Sequence, residues 1–333
     1  MKPISRIIII VLLTFLLCET ASLFLRHGLK TYNNHSTARL TEILEKDTYY
    51  DVLFLGSSRT HSTINPRIID SVCTVSSYNA GIDGGNLAEF RMIFKAYLQH
   101  HPPPALLVLT LGLSSFNLQR MFFNYTEYFP FLNNKVIDTT LSHNGHNTFR
   151  QKIFPFLSVT DYDDYSRGNA IKGITGRGGK QIEPGEFQYK GYLSNTNNTL
   201  SVQDTPRTIA SIKVSNRAIR YLQNIISICR EHGTKLIFTY SPEFNFESEK
   251  HVSNSAKIFA LIDSIAGENK IEFLRHDSLS ICQDPKLFAN VGHVNTTGAK
   301  VYSNILAKQL VKEMASMPYR NSSPASALYT PKK

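Results

Sequence analysis

Three residues able to perform acyl chemistry stand in separate turns of this chain, namely Ser58, Gly84 and His293. A serine hydroxyl is a poor nucleophile alone, so it needs a base within hydrogen-bond distance. It also needs hydrogen-bond donors directed at the oxyanion that forms when an ester carbonyl is attacked. His293 can act as the base, and the backbone N–H of Gly84 can act as a donor. These residue types predict serine-dependent chemistry, provided that the fold brings them together.

The serine follows a run of four apolar residues, Val52–Leu55. Such a run is typical of a strand buried on both faces, as in a parallel sheet. Gly56 allows a sharp turn after the strand, and open α/β sheets bind their ligands at the carboxyl ends of their strands. The turn therefore predicts that the Ser58 hydroxyl lies at a ligand site.

Further apolar runs predict the rest of the sheet, with strands at residues 72–78, 105–111, 235–240 and 271–274. Amphipathic patterns predict helices between them, including a long one with its apolar face over residues 209–229. A final helix is expected from about residue 297 to 314, capped by Thr296 or Thr297. Because strands alternate with helices, we predict a three-layer α/β/α fold with a mostly parallel five-stranded sheet. An N-terminal transmembrane helix precedes it.

The N-terminus reads as a membrane segment. Two basic residues precede an apolar stretch, residues 7–17, that continues with interruptions to Leu25. This order is typical of an export or anchoring signal. The uninterrupted part is shorter than the ~20 residues of a spanning helix, the extension includes Glu19, and residues 20–22 are a weak cleavage site. We therefore predict an uncleaved single-pass anchor, with the bulk of the chain on the extracytoplasmic side.

The predicted organisation has four parts: an anchor at 1–25, a stalk at 26–50, a catalytic domain at 51–315 and a flexible tail at 316–333. A Tyr-, Phe- and Asn-rich insertion at 116–205 interrupts the domain, and its Gly-rich stretch at 167–179 is typical of a loop. A long insertion after a strand favours a lid or binding loop over the site. A variable surface loop is an equally good interpretation.

Composition restricts the partners. The net charge of +10 and the pI of 9.3 favour anionic partners, although a solvated basic surface explains them more simply. No Lys/Arg block or nucleic-acid motif is present, so we expect no nucleic-acid partner. The histidines lack metal-ligand spacing and no phosphate-binding loop occurs, so we expect no metal and no cofactor.

Three cysteines remain outside the anchor, which disfavours a full disulfide framework but leaves one bridge open.

Four blocks resemble those of the SGNH, or GDSL-like, hydrolase superfamily. Gly56-Ser57-Ser58 stands where that family has Gly-Asp-Ser, and Asn79-Ala-Gly-Ile-Asp-Gly84 resembles the block whose glycine contributes to the oxyanion hole. Residues 109–115 fall where the family carries Gly-x-Asn-Asp, and Asn290-Val-Gly-His293 resembles Asp-x-x-His. The resemblance covers about residues 51–111 and 235–310 and leaves out the insertion.

The resemblance implies a catalytic set of Ser58, His293 and Asn290, and an oxyanion hole from Ser58, Gly84 and Ser114. Two positions depart from the family pattern. Ser114 replaces the oxyanion asparagine, so that donor must come from a hydroxyl or from elsewhere in the chain. Asn290 replaces the acid that orients the histidine, and an amide can accept a hydrogen bond but cannot offset the imidazolium charge. A Ser-His dyad oriented by a backbone carbonyl is the alternative.

Two further residues have open roles. Asp284 lies in the same loop as the histidine and is a second candidate for the orienting acid. Arg59 follows the nucleophile directly and is expected either to bind an anionic substrate or to pair with a carboxylate.

The resemblance implies a membrane-anchored SGNH-type serine esterase or O-acyltransferase that acts on an ester of a cell-envelope polysaccharide or similar polymer. Its expected partners are an acylated saccharide or other envelope ester, the membrane through the N-terminal helix, and a membrane acyltransferase, because some anchored family members work beside one. The alternative is a catalytically weak SGNH-fold protein that binds glycans or acts as a scaffold in a membrane complex.

Overall fold

The structure is a computed structural model of the chain and describes residues 3–32, 35–118, 122–176, 189–195, 198–201, 210–245 and 252–315. The tail predicted at residues 316–333 lies outside the described residues. The chain forms two compact units, the first comprising Met1–Lys46 with Asn124–Pro184 and the second Asp47–Phe123 with Gly185–Lys333. All the predicted site residues belong to the second unit.

The strands and helices of both units have the following bounds in chain order. The strands are β1 (Val52–Leu55), β2 (Ser77–Asn79), β3 (Leu106–Thr110), β4 (Lys235–Tyr240), β5 (Glu272–Arg275), β6 (Phe288–Asn290) and β7 (His293–Val294). The α-helices are α1 (Pro3–Thr31), α2 (Ser36–Glu45), α3 (Ser58–His61), α4 (Pro66–Cys73), α5 (Leu87–Tyr97), α6 (Lys135–His143), α7 (Phe149–Ile153), α8 (Ser158–Asp161), α9 (Asp164–Ile174), α10 (Asn216–Glu231), α11 (Ser255–Asn269) and α12 (Thr296–Ala315).

The second unit is built on a five-stranded sheet with the order β2-β1-β3-β4-β5, in which every neighbouring pair is parallel. All residues of β1 and β3 are buried, as their apolar runs predicted. The α/β fold class is confirmed, and this sheet is wholly parallel. Because its strands run in one direction, the turns that follow them, including those at Gly56 and Gly112, share one edge.

Helices cover both faces of this sheet. On one face Val52, Val108 and Ile237 form a buried cluster with side chains of α4 and α12 such as Ile69 and Leu306. Strand residues alternate between the faces, so the neighbouring residues of each strand turn to the other side, where α10 packs against α5 and β4. Full burial of each Val, Leu or Ile side chain stabilises the fold by roughly 1.5–3 kcal/mol.

The structure corrects two predicted boundaries. Residues 72 and 73 end α4 and do not begin β2, because Thr74 adopts a left-handed conformation (φ 56°) and the strand starts only at Ser77. The long amphipathic helix begins at Asn216, because the Ser215 side chain accepts a hydrogen bond from the Arg217 N–H and caps α10 there. Residue 209, where the apolar pattern starts, lies outside the described residues.

Another correction concerns the start of α12. Neither predicted threonine caps it; the Asn295 Oδ1 accepts a hydrogen bond from the Gly298 N–H at 2.9 Å. The same side chain donates to the Lys286 carbonyl at 2.7 Å. Asn295 therefore fastens the helix start to the segment that leads into β6, two residues after the predicted catalytic histidine.

All four cysteines are free: Cys18, Cys73, Cys229 and Cys282. The bridge that the sequence left open is not formed. Burial raises the pKa values of the Cys73 and Cys282 thiols to about 11, so both are protonated at neutral pH and act as small apolar side chains.

The first unit contains the N-terminal helix. α1 has 29 residues, and its most apolar 18-residue window has a mean hydropathy of 2.5 and is 6% buried. It is long and apolar enough to cross a membrane. The helix runs on to Thr31, past the predicted start of the stalk, and α2 follows it.

α1 packs closely on α9 through glycines. A Cβ atom at Gly28 would lie 2.0 Å from the Ala170 carbonyl oxygen, and one at Gly173 would lie 2.0 Å from the Gly28 carbonyl oxygen. α9 occupies residues that were predicted as a loop from their glycines, and residues 177–179 of that stretch lie outside the described residues. Gly173 serves close helix packing here and does not reverse the chain.

Candidate active site

Ser58 is the first residue of α3, directly after the turn that leaves β1. Ser57 holds the N-cap position with an extended backbone (φ −84°, ψ −163°). A Cβ atom at Gly56 would lie 2.1 Å from the Thr60 Oγ1 and 2.9 Å from the Thr110 carbonyl oxygen. Only glycine therefore lets the turn pass this close to the end of β3, and the turn presents Ser58 at the carboxyl edge of the sheet.

Ser58 and His293 form a hydrogen bond. The Ser58 Oγ lies 2.9 Å from the His293 Nε2, although 235 positions separate the two residues in the sequence. This distance is within the range expected for a nucleophile and its base. The structure thus brings together the two residues on which the predicted chemistry depends.

Asn290 orients the imidazole. Its Oδ1 lies 3.0 Å from the His293 Nδ1 and accepts a second hydrogen bond from the Gly292 N–H, also at 3.0 Å. A backbone N–H only donates, so it selects the oxygen of the amide for this position. The imidazole must then carry its proton on Nδ1, which leaves Nε2 free to accept the Ser58 proton.

A short hairpin holds this pair in place. β6 and β7 are antiparallel, and Asn290 lies opposite His293 in their register, where the sequence predicted only a loop. Phe288 and Val294 of the same strands are fully buried in a small apolar cluster. The second candidate for the orienting acid, Asp284, accepts a hydrogen bond from the Lys286 N–H instead and caps a turn.

The turn after β2 runs beside the turn that carries Ser58. The Ile82 N–H donates to the Gly56 carbonyl at 2.9 Å. A Cβ atom at Gly81 would lie 2.5 Å from the backbone nitrogen of His61. Gly84 follows with a positive φ of 65° that favours glycine, and it is exposed. The predicted oxyanion donor therefore sits in a loop packed directly against the segment that carries Ser58.

Two side chains fasten these turns to each other. The buried Asn79 amide donates to the Thr60 and Ile64 carbonyls at 2.8 and 2.7 Å, and its oxygen accepts from the Gly81 N–H at 3.0 Å. The His61 Nδ1 lies 2.9 Å from the Asp83 Oδ1. Both turns are thus held as one rigid body.

Arg59 points to the loop after β4. Its guanidinium pairs with the Glu243 carboxylate, donates to the Ser241 carbonyl and lies over the Tyr240 ring, 4.4 Å from the centroid. Of the two expected roles, the structure shows the pairing with a carboxylate. The pair fixes α3 to the carboxyl end of β4.

Burial lowers the pKa of His293 below its ordinary value of 6.5, and the positive charge of Arg59 lowers it further. The Asp83 and Glu243 carboxylates oppose this shift in part. The imidazole is therefore neutral at neutral pH, which is the protonation state that a general base needs.

Ser114 lies after β3, in the 3-10 helix Leu113–Phe116, and is exposed. Neighbouring Ser115 is buried and accepts a hydrogen bond from the Gly112 N–H at 3.2 Å. The third predicted oxyanion donor thus occurs at the same sheet edge as Ser58, and its hydroxyl is open to solvent. Its role remains a prediction.

Three features were not predicted from the sequence: the Asp83–His61 pair, the Glu243 partner of Arg59 and the hairpin that carries His293. The first pair could have been predicted, because Asp83 belongs to the glycine-rich turn and His61 follows Ser58 closely, and both turns were expected at the same edge of the sheet. Glu243 lies three residues after β4, whose bounds were predicted correctly. A single glutamate in a loop does not, however, indicate which basic residue it pairs with.

The chain was compared with known proteins. No family model and no curated protein matches it. A solved structure described as a proposed acylhydrolase from Bacteroides fragilis is 14% identical, with a TM-score of 0.39, over 86% of this chain and 97% of its own. A GDSL-like lipase from Bacteroides thetaiotaomicron is 14% identical, with a TM-score of 0.35, over 79% and 88%.

A third solved structure, described as a proposed platelet activating factor from Streptococcus pneumonia, is 13% identical, with a TM-score of 0.39, over 85% of this chain and 94% of its own. Similarity at this level assigns neither a reaction nor a substrate, so both depend on the geometry of the site.

Proposed function

We propose that this protein is a membrane-anchored serine esterase or O-acyltransferase of the SGNH type. The observation that carries the proposal is the hydrogen-bonded chain from Ser58 through His293 to Asn290, with distances of 2.9 and 3.0 Å. It joins a nucleophile, a neutral base and an orienting acceptor at the carboxyl edge of a parallel sheet, where such folds bind ligands.

In the first half-reaction the Ser58 Oγ attacks the acyl carbon of an ester while its proton passes to the His293 Nε2. The carbonyl oxygen becomes an oxyanion, and in this proposal the backbone N–H groups of Ser58 and Gly84 and the Ser114 hydroxyl stabilise it. The intermediate collapses to an acyl-serine, and the leaving alcohol takes the proton from Nε2.

In the second half-reaction His293 removes a proton from water or from an acceptor hydroxyl, which attacks the acyl-serine. The acyl group leaves as a free acid or as a new ester, and the proton returns to Ser58. The same residues therefore support hydrolysis and transfer, and the acceptor that reaches the acyl-serine first decides between them.

The predicted anchor favours a substrate on the extracytoplasmic side of the membrane. If α1 spans the membrane, the second unit is tethered at the membrane surface, where envelope polymers carrying O-acyl groups are at high local concentration. An acylated envelope saccharide is accordingly the proposed substrate, and a membrane acyltransferase is the proposed donor partner in the transfer reaction.

A second candidate function is glycan binding or scaffolding without turnover. Asn290 favours it, because in a serine protease the corresponding change from aspartate to asparagine lowers kcat about 10⁴-fold. There the amide selects the wrong tautomer. Here the Gly292 N–H selects the amide oxygen, so the correct tautomer is kept and only the carboxylate charge is missing.

Covalent labelling distinguishes the two functions. The full-length chain in detergent is treated with a fluorophosphonate probe, and the modified residue is identified by mass spectrometry. We expect labelling at Ser58, its loss in Ser58→Ala and His293→Ala, and wild-type labelling in Ser57→Ala. The last variant is a matched control, because Ser57 is the adjacent serine and holds its cap position through the backbone. An unlabelled wild type would reject the esterase mechanism and favour the scaffold.

A further inference from the structure

One face of α1 is covered by helices of the insertion that belong to the same unit, the first. Ser22, Gly28 and Leu29 are buried on this face. The Arg26 guanidinium donates to the Gln151 carbonyl at 3.3 Å and to the Ser158 hydroxyl at 3.5 Å. These contacts attach the segment from α7 to α8 to the C-terminal half of the apolar helix.

The cover extends far along the helix. The Phe15 ring makes edge-to-face contacts with Phe154 and Phe156, with centroids 6.2 and 5.7 Å apart. Phe15 precedes Leu25, the last residue of the predicted anchor, by ten positions, which corresponds to about 15 Å along a helix axis. This is about half the ~30 Å thickness of a bilayer core. An anchor placed across the membrane would therefore carry residues 154–156 into the hydrocarbon region.

The outer surface of this segment suits that depth. Phe149, Ile153 and Phe154 are 67%, 52% and 42% exposed, and Phe154 contacts Phe15 of α1, which is itself 42% exposed. In water, exposed apolar side chains grouped in one short segment would favour aggregation. The polar Gln151 is turned inwards, where its amide donates to the Asp161 carboxylate at 2.6 Å. The exposed side chains of this segment are thus three large apolar ones and the basic Arg150 and Lys152, while the Gln151 amide is turned away from the surface.

The backbone of the segment is also compatible with lipid. Non-helical backbone with unpaired polar groups is not tolerated against hydrocarbon. Here the Phe154 N–H donates to the Arg150 carbonyl at 2.8 Å, and the Leu157 N–H donates to the Phe154 carbonyl at 2.9 Å. The Lys152 ammonium is paired with the Asp138 carboxylate at 2.6 Å, and the Arg150 side chain is long enough to extend its guanidinium towards the headgroups.

We propose that residues 149–157 form a second membrane element, which enters the leaflet at the C-terminal end of α1 and does not cross it. Lipid covers the exposed surface of this element. Acyl chains contact Phe149, Ile153 and Phe154 in the same way as they contact the exposed side chains of the neighbouring anchor. The anchor and this second element then attach the protein to the bilayer at two points. This proposal depends on the anchor and is independent of the chemistry at Ser58.

The absence of tryptophan from the chain makes a direct test possible. Single tryptophans are introduced as Phe149→Trp, Ile153→Trp and Phe154→Trp in the full-length chain, which is reconstituted into phosphatidylcholine vesicles with or without bromine on the acyl chains. Leu13→Trp on the exposed side of α1 is the lipid-facing control, and Val311→Trp on α12 is the solvent control. We expect blue-shifted emission and quenching by brominated lipid at all three positions, as for Leu13→Trp.

Emission and iodide quenching like those of Val311→Trp would overturn the proposal. Blue-shifted emission without quenching by bromine would also overturn it, because a second copy of the chain would then cover the surface. If Leu13→Trp itself is not quenched, the anchor and the second element fail together. Fluorophosphonate labelling of Ser58 in the same vesicles keeps that failure distinct from a failure of the esterase mechanism.

Discussion

Replacing Asn290 with aspartate tests the proposed orienting role most directly. The carboxylate of Asn290→Asp can accept the same hydrogen bonds from the His293 Nδ1–H and the Gly292 N–H, which are both 3.0 Å long with asparagine at this position. The change therefore adds a negative charge beside the imidazole and leaves the geometry in place. Because a carboxylate stabilises the imidazolium formed when Ser58 gives up its proton, the variant should react faster.

The expected gain follows from Coulomb's law. A unit charge about 4 Å from the imidazolium is worth about 1 kcal/mol in water and about 4 kcal/mol at an effective dielectric constant of 20. Asn290 is exposed, so solvent screening favours the lower part of this range, about 1–2 kcal/mol. This corresponds to an increase of about tenfold in kcat/KM.

The assay is hydrolysis of p-nitrophenyl acetate by the full-length chain in detergent, followed from pH 5 to 9. The new carboxylate raises the pKa of His293, so the acid limb of the profile should move to higher pH, and the gain should be complete only on the alkaline plateau. Adding methyl glucoside as an acceptor and measuring its acetylation gives the ratio of transfer to hydrolysis in the same experiment.

Two further variants control the result. Asp284→Asn changes an acid in the same loop that only caps a turn, and an asparagine can keep that cap, so activity should be unchanged. Asn290→Ala removes the acceptor for two N–H groups and should lower kcat/KM. If Asn290→Asp leaves the plateau rate unchanged or lowers it, the argument from the missing charge is refuted, and if Asn290→Ala keeps the wild-type rate, the orienting role of Asn290 is refuted.

Three other perturbations follow from the same geometry. Asp83→Asn removes a charge that raises the pKa of His293, so the acid limb of the activity profile should move to lower pH. Arg59→Met removes a charge that lowers the same pKa, so the limb should move to higher pH, with a loss of stability from its unpaired carboxylate partner. Gly81→Ala places a Cβ 2.5 Å from the His61 backbone nitrogen and should destabilise the full-length chain by roughly 1–3 kcal/mol in urea unfolding. An unaltered profile in both charge variants, or an unchanged urea midpoint, would contradict the respective argument.

Local patterns predicted the sheet well. β1 and β4 begin and end at the predicted residues, because continuous apolar runs bounded by turn residues are typical of buried strands. The position of Ser58 followed from the same pattern, since a residue after a parallel strand must lie at its carboxyl end. The chain segments that the structure corrects are those where a single side chain decides the boundary, such as Ser215 at the start of α10.

Tertiary pairing could not be predicted in the same way. Gly173 has the composition of a loop residue, and only its contact with Gly28 explains why it lies in a helix. The β6–β7 hairpin is too short for its apolar alternation to be visible, although its two strands place Asn290 opposite His293. Such features depend on contacts between residues far apart in sequence, which periodicity does not encode.

The charges around His293 indicate why this site can lack an orienting acid. Burial and Arg59 keep the imidazole neutral at neutral pH, and Asn290 accepts its Nδ1 hydrogen bond without adding a charge that would raise its pKa. Without the carboxylate, the proposed mechanism stabilises the imidazolium in each tetrahedral intermediate less, and attack by water that the site does not orient suffers most. An acceptor hydroxyl that is bound beside the acyl-serine compensates through its high effective concentration. We infer that Asn290 favours transfer to a bound acceptor over hydrolysis, and a fall in the transfer-to-hydrolysis ratio of Asn290→Asp is the outcome that this argument requires.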